Sequence, residues 1–182
     1  GEDAQRRDLT VNGLFYEIEN NTIIDYVDGI ADLDKSVIQF IGEPERRITR
    51  DPVRMLRAIR HAARMVFAIA PVSWAGICQH HEKLTLCPPS RIRDEFLKVL
   101  HSTAFAEWMK MALDSEIFFD IFGLYRKTLC QKEGADEKPY REKLLAIAEV
   151  IDRCSGLAKE EGKKELKNDF LLAMLLIPWA NA

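Results

Sequence analysis

The chain has 182 residues, of which 47% are hydrophobic and 30% are charged, and its formal net charge is -3. These values are ordinary for a globular protein with a hydrophobic core, and they exclude a largely disordered chain and a protein that is basic throughout. The charge is unevenly distributed, because seven arginines and only one acidic residue, Asp51, lie between Arg46 and Arg64. This arginine-rich segment (residues 46–64) carries a local charge of +6.

The first third of the chain predicts short β-strands. Residues 10–18 alternate between apolar and polar side chains, residues 20–27 read as a turn followed by a strand, and residues 36–42 predict another strand. The intervening stretch DGIADL, residues 28–33, suits a loop or the start of a helix. We therefore expect a small β region at the beginning of the chain.

From Asp51 onward the pattern is helical. Asp51 is suited to the N-cap position and Pro52 to the first helical position. One face of this helix is apolar: Met55, Leu56, Ile59, Ala62, Ala63, Val66 and Phe67. The opposite face is basic: Arg54, Arg57, Arg60, His61 and Arg64. Further helices are predicted over 71–80, 90–101, 103–113, 139–153 and 164–177. The predicted fold class is α+β and mainly α.

The basic helix face has two interpretations. A solvated surface with salt bridges needs acidic residues three or four positions away, and there are none between residues 52 and 81. A phosphate or nucleic-acid ligand is therefore favoured. Asp51 and Arg54 lie one turn apart, so an acceptor-only carboxylate and a donor-only guanidinium could together match the edge of a nucleobase. A helix cap with a local ion pair remains the alternative for these two residues.

The cysteines and the apolar segments bear on the compartment. Four cysteines lie at irregular spacings: Cys78, Cys87, Cys130 and Cys154. This favours free thiols in a reducing compartment, so we expect a cytoplasmic protein. Cys78, His80, His81 and Cys87 are an alternative set of metal ligands, but their spacing matches no usual zinc pattern. The most apolar run, residues 170–179, is about half as long as a membrane-spanning helix, so we expect no membrane association.

Three motifs resemble one family of enzymes. RRDLTVNGLFY at residues 6–16, DYVDGIADL at 25–33 and RDPVRMLRAIRHAARM at 50–65 occur in the order and spacing of the bacterial poly(A) polymerase and tRNA CCA-adding nucleotidyltransferase family. PPSRIRDEFLKVL at 88–100 resembles a later helix of the same family. The residues of these motifs resemble the poly(A) polymerase branch more than the CCA-adding branch. We expect the chain to be a fragment of such an enzyme.

The resemblance implies a domain organisation. Residues 1–42 correspond to the end of the nucleotidyltransferase head and contribute short strands. Residues 43–125 correspond to an all-helical neck that binds nucleotide and RNA, and residues 126–182 to part of a helical body.

The resemblance also implies nucleotide-binding residues. By analogy with the first motif, Arg7 and Asp8 hold the sugar and phosphates of the nucleotide or tie the head to the neck, and Asn12 supports them. By analogy with the third motif, Asp51 and Arg54 hydrogen-bond to the edge of the base. These five residues are the predicted nucleotide-binding site.

The remaining arginines of the third motif are predicted to bind phosphate or RNA. They are Arg57, Arg60 and Arg64. Four positions depart from the family pattern. Arg50 stands where the third motif has glutamate and His61 where it has phenylalanine, Gly13 stands where the first motif has alanine, and Asp28 where the loop has its first glycine.

The activity that the resemblance implies is the addition of AMP from ATP to RNA 3′ ends. The full enzyme uses Mg²⁺, which we expect this chain not to bind because it contains no match to the family's metal-binding carboxylates. ATP and the RNA 3′ end are the expected substrate and partner. A fragment of a tRNA CCA-adding enzyme, a non-catalytic RNA-binding module and a helical scaffold for an acidic protein are the alternatives. Coding sequence for GGxVRD and DxD directly upstream of Gly1 would favour the enzyme.

We expect this chain alone to add no nucleotide to RNA. Incubation with radiolabelled ATP, Mg²⁺ and an RNA primer should leave the RNA 3′ end unlabelled. Labelled AMP at that end, from protein free of host polymerase, would refute the expectation.

Overall fold

A computed structural model describes residues 1–125, 138–162, 164 and 166–180. The chain divides into two compact units, Gly1–Cys87 and Pro88–Ala182. The predicted division at residue 42 stays a prediction. The predicted boundary at residue 126, together with Cys130, lies outside the described residues.

The first unit contains two small β-sheets. Strands β1 (Leu14–Glu17) and β2 (Thr22–Asp25) form an antiparallel hairpin. Strands β3 (Val37–Ile38) and β4 (Ala68–Ile69) pair in parallel. The predicted strands after residues 20 and 36 are therefore confirmed, whereas β4, which is only two residues long, was not predicted.

The predicted strand over 10–18 is wrong in its first half. Thr10–Asn12 forms a 3₁₀ turn instead. The Thr10 hydroxyl donates a hydrogen bond of 2.6 Å to the buried carboxylate of Asp32. Gly29 also packs tightly against this turn, because a Cβ at residue 29 would lie 2.4 Å from the Thr10 carbonyl oxygen. Tertiary contacts thus override the local alternation.

Two short helices flank the hairpin in sequence. They are α1 (Glu2–Arg6) and α2 (Gly29–Asp34). The Asp25 carboxylate accepts backbone N–H groups from Val27, Gly29 and Ile30 and so organises the start of α2. The segment DGIADL is accordingly the start of a helix.

The remaining helices of the first unit include the two that contain the arginine-rich segment. They are α3 (Pro44–Arg50), α4 (Val53–Met65) and α5 (Pro71–His80), followed by a 3₁₀ helix at His81–Leu86. Helix α5 confirms the prediction over 71–80. Helix α3 was missed because Ile48 is its one buried residue, which leaves no apolar periodicity to detect.

Helix α4 begins one residue later than predicted. Pro52 occupies the N-cap position, and Asp51 adopts an extended conformation (φ -154°, ψ 91°) where α3 ends. The two helices therefore meet at a sharp junction at Asp51–Pro52.

The predicted apolar face of α4 is buried from Met55 to Ala63. Val53 and Ala58, which fall outside this face, are also buried because α4 packs against α3, β3 and β4. Val66 is 81% exposed, since the helix ends there with a left-handed residue.

The second unit is helical in all the residues that the structure describes there. Its helices are α6 (Pro89–Leu100), α7 (Phe105–Asp114), α8 (Ile117–Ile121), α9 (Lys138–Glu160) and α10 (Asn168–Ala180). All except the short α8 were predicted. Asp152 of α9 accepts the Phe105 and Ala106 backbone N–H groups at 2.8 Å each, which caps α7. The fold class, mainly α with short strands, is confirmed.

In the described part of the chain, no helix combines the length and the apolar character that crossing a membrane requires.

Candidate functional site

An ion pair connects the beginning of the chain to helix α4. The Arg57 Nη1 atom donates a hydrogen bond of 3.0 Å to the Asp8 Oδ2 atom, across 49 residues of sequence. The other Asp8 oxygen accepts the Leu9 backbone N–H at 3.2 Å, and the Asp8 carbonyl accepts the Ile41 N–H at 3.0 Å. Asp8 is thereby fixed on three sides.

The charge of Asp8 is stabilised in this position. Burial alone would raise the pKa of the Asp8 carboxyl. The hydrogen bond from Arg57, the hydrogen bond at its own backbone and the charges of Arg57 and Arg54 outweigh burial and hold this pKa below its usual value. The ionised carboxylate is therefore the stable form.

This pair corrects the interpretation of the basic helix face. The absence of acidic residues along α4 predicted arginines without protein partners. That prediction is wrong for Arg57, because its partner Asp8 comes from a distant part of the sequence. A search at three- and four-residue spacing cannot find such a partner.

Asp51 and Arg54 lie at the junction of α3 and α4. The Arg54 Nε atom is 3.9 Å from the Asp51 Oδ2 atom, which is too long for a hydrogen bond. The Arg54 side chain is only 14% exposed, and its Nε and Nη1 atoms are buried without a hydrogen-bond partner in the described part of the chain. A buried donor without a partner costs about 1–3 kcal/mol, so these atoms favour an acceptor from a ligand.

Sequence reasoning did not single out Arg47. Its Nε atom donates to the Ile41 carbonyl at 2.7 Å, and its Nη2 atom donates to the Gln5 carbonyl. The side chain thus connects α3 to the end of α1 and to the segment after β3. The only signal in the sequence was its place in the arginine-rich segment, which did not distinguish it from its neighbours.

The remaining arginines of α4 do not share one environment. Arg60 is buried, with 9% of its surface exposed, and its Nη2 atom lies 3.4 Å from the His61 Nε2 atom. Arg64 is exposed. The prediction that all five basic residues lie on the face opposite the core is therefore wrong for Arg60, because α4 has packed neighbours on more than one side.

Arg7 and Asn12 are placed beside Asp8 in sequence but make other contacts. Arg7 is exposed, pairs with Asp3 at 3.3 Å and lies over the Phe15 ring at 5.5 Å. Asn12 is half-buried in the 3₁₀ turn. Their roles in nucleotide binding stay predictions.

The described residues contain no group of three or more His, Cys, Asp or Glu side chains that could hold a metal ion.

Two family models match the sequence. Residues 1–39 match "Poly A polymerase head domain", and residues 66–123 match "Probable RNA and SrmB- binding site of polymerase A". The two matched ranges flank helices α3 and α4.

Curated relatives come from both branches of the family. The chain is 42% identical over 121 residues to poly(A) polymerase I of Escherichia coli O157:H7, an alignment that covers 66% of this chain and 26% of that protein. It is 35% identical over 126 residues to the CCA-adding enzyme of Lactobacillus johnsonii, covering 69% and 31%. The chain thus spans about a quarter to a third of the length of these relatives.

Solved structures share the fold. One is a tRNA nucleotidyltransferase complexed with a primer tRNA and an incoming ATP analog, with a TM-score of 0.73 and 27% identity over 99% of this chain and 49% of that one. Another is a tRNA-processing enzyme with CTP, with a TM-score of 0.73 and 28% identity over 99% and 46%.

We expect Asp8→Asn to destabilise the protein at neutral pH by about 1–2 kcal/mol, because it removes a charged acceptor from Arg57. Since the folded-state pKa of Asp8 is lowered, this stabilisation is present above the usual value of 3.8 and is lost as the pH falls through the lowered pKa. Urea unfolding of both proteins at neutral and acidic pH measures the difference.

The matched control is Asp3→Asn, which removes an exposed carboxylate whose pair with Arg7 is worth at most about 0.5 kcal/mol. A difference between Asp8→Asn and the unsubstituted protein that stayed constant from neutral to acidic pH would contradict the ion-pair assignment.

Proposed function

This chain belongs to the bacterial poly(A) polymerase and tRNA CCA-adding nucleotidyltransferase family, and from this premise we propose that it supplies the nucleotide-selecting and RNA-holding part of a poly(A) polymerase. The complete enzyme adds AMP from ATP to RNA 3′ ends without a template. The irregular spacing of the four cysteines supports a reducing compartment such as the cytoplasm.

The observation that carries the proposal is the pair of unsatisfied donors on Arg54. They lie beside the Asp51 carboxylate in a largely buried position, with 14% and 20% of the two side chains exposed. The two Arg54 donors have no acceptor among the described residues, and the Asp51 carboxylate beside them is acceptor-only. This is the pattern that a nucleobase with an amino group next to a ring acceptor completes.

The roles in base selection follow from this geometry. Asp51 accepts a hydrogen bond from the exocyclic amino group of adenine, and Arg54 donates to the neighbouring ring nitrogen. Uracil presents a carbonyl where adenine presents the amino group, so it meets the Asp51 carboxylate acceptor to acceptor. The pair therefore selects against UTP.

The Asp8–Arg57 ion pair positions the base-reading pair, Asp51 and Arg54. Arg57 is one turn after Arg54 on α4, so fixing Arg57 to Asp8 also fixes the helix turn that carries Arg54. The same contact keeps the first motif against α4, next to the base-reading pair. We expect Arg7 and Asn12 of the same motif to bind the sugar and phosphates.

A CCA-adding enzyme is the second candidate. Cytosine also presents an amino group next to an acceptor, so Asp51 and Arg54 accept CTP as well as ATP. The 35% identity to a CCA-adding enzyme supports this candidate, whereas the 42% identity to a poly(A) polymerase supports the first. Incorporation of CMP into a tRNA that lacks its CCA end would distinguish the two.

The test joins this chain to the preceding segment of the E. coli relative and measures kcat/KM for ATP and UTP. A bidentate base contact contributes about 1–3 kcal/mol of discrimination, so Asp51→Ala should reduce the ATP/UTP ratio about tenfold or more. Arg54→Lys should reduce it as well, because one ammonium group cannot replace two guanidinium donors. Arg64→Lys, an exposed position on the same helix, should leave the ratio unchanged.

A helix-capping role for Asp51 makes a different prediction. It gives a loss of about 1 kcal/mol in stability for Asp51→Ala with unaltered selectivity. Thermal melting measured beside the kinetics separates the two roles. If both Asp51→Ala and Arg54→Lys kept the original ATP/UTP ratio, the base-reading assignment would be wrong.

A further inference from the structure

A cavity of about 430 Å³ lies beside helix α3 in the first unit. Its lining consists of Gln5, Gly42, Glu43, Arg46, Arg47 and Arg50. The volume falls within the range of small-ligand sites and accommodates a phosphate group with part of its sugar. None of these residues belongs to the base-reading pair.

Two of its arginines have no partner among the residues that the structure describes. Arg46 and Arg50 are exposed, and in the described ranges neither makes a hydrogen bond or an ion pair. They are four residues apart on α3, so they share one helix face at a Cβ separation of about 5–6 Å. Two unpaired like charges at this distance repel each other, and an anion between them would remove the repulsion.

The third arginine is held in place. Arg47 is anchored by its bonds to the Ile41 and Gln5 carbonyls, which fix this wall of the cavity. Gly42 adopts a left-handed conformation (φ 74°), and a Cβ there would lie 4.0 Å from the Arg47 Nε atom. The absence of a side chain at residue 42 therefore leaves the space in front of Arg47 open.

The electrostatic balance favours an anion. Three guanidinium groups and one carboxylate, that of Glu43, line the cavity, which gives a net charge of +2. Burial lowers the pKa of Arg47, and the charges of Arg54, Arg50 and Arg46 lower it further. Guanidinium groups present paired donors that match the oxygens of a phosphate.

We propose that this cavity binds the backbone phosphates of RNA, with Arg46 and Arg50 contacting the phosphate oxygens and Arg47 as a positioning residue. The proposal rests on the proposed function, because that function makes RNA the available polyanion. It places phosphate contacts on α3, in addition to the predicted contacts on α4. Arg57 and Arg60 of α4 have protein neighbours, whereas Arg46 and Arg50 make no hydrogen bond or ion pair with the described part of the chain.

The test measures binding of a fluorescein-labelled single-stranded oligo(A) RNA to this chain by anisotropy over a range of salt concentrations. Each phosphate contact contributes about 0.7 to the slope of log affinity against log salt for single strands. The variant Arg46→Ala/Arg50→Ala should therefore flatten the slope by about 1.4 and weaken binding several-fold at low salt. Arg46→Lys/Arg50→Lys, which keeps both charges, should retain most of the slope.

The matched control removes two exposed basic residues outside the range that matches the RNA-binding family model. Lys143→Ala/Arg153→Ala changes the net charge by the same amount on the second unit and should leave the slope close to that of the unsubstituted chain. Circular dichroism checks that both doubly substituted proteins stay folded. If both double substitutions flattened the salt slope equally, the overall charge would explain the effect and the proposal would be overturned.

Two further outcomes separate this proposal from the proposed function. Tight RNA binding with an unchanged slope in Arg46→Ala/Arg50→Ala would overturn the α3 site and leave the RNA-binding function standing. No RNA binding by the folded, unsubstituted chain would overturn both. A parallel titration with pyrophosphate tests whether the cavity binds nucleotide phosphates instead. If Arg46→Ala/Arg50→Ala lost pyrophosphate binding but kept its RNA binding, the cavity would be assigned to the nucleotide and its assignment to RNA would be overturned.

Discussion

The ion pair between Asp8 and Arg57 is the interaction on which the candidate site depends. It joins residues 49 positions apart and holds the first motif of the chain against the second turn of helix α4. Because Arg57 is engaged in this pair, the charge of Asp8 is stabilised and the segment just before the 3₁₀ turn is bound to α4. One turn earlier, Arg54 remains with two buried donors that the described residues do not satisfy. Arg57, which stabilises the fold, and Arg54, whose donors can bind a ligand, thus lie one turn apart on the same helix.

The arginine-rich segment consequently contains residues with different roles. Arg47 fastens α3 to backbone carbonyls, and Arg57 pairs with Asp8. Arg54 lies 3.9 Å from Asp51, and Arg46 and Arg50 line a cavity without a partner in the described part of the chain. The same side chain serves each role because a guanidinium stays charged even when partly buried and offers several donors in a fixed geometry. Part of the +6 charge of this segment is accommodated within the protein, because Arg57 pairs with Asp8 and Arg47 donates to backbone carbonyls.

Much of this fold was predictable from the sequence, and the site only in part. Helices α5, α6, α7, α9 and α10 could be predicted from their apolar residues and their start and stop signals. The hairpin strands could be predicted from alternating residues and an intervening turn. Helix α3 was not found because it buries only Ile48, and the strand predicted from residue 10 is interrupted because Thr10 bonds to Asp32. Asp51 and Arg54 are close in sequence, so their pairing could be inferred. The partner of Arg57 and the anchoring of Arg47 depend on residues more than 40 positions away or on backbone carbonyls, which leave no pattern in the sequence.

The most direct measurement is nuclear magnetic resonance of the arginine side chains, with the Nε–H signals of Arg54 and Arg57 followed as nucleotide is added to this chain. If Arg54 reads the base, millimolar ATP or CTP should shift the Arg54 signal and slow its exchange with water, because a buried donor gains an acceptor. UTP at the same concentration should change it much less, and the Arg57 signal should stay in place because its bond to Asp8 persists. An Arg54 signal that responded equally to ATP and UTP, or that stayed unchanged while ATP displaced Arg57 from Asp8, would contradict this account.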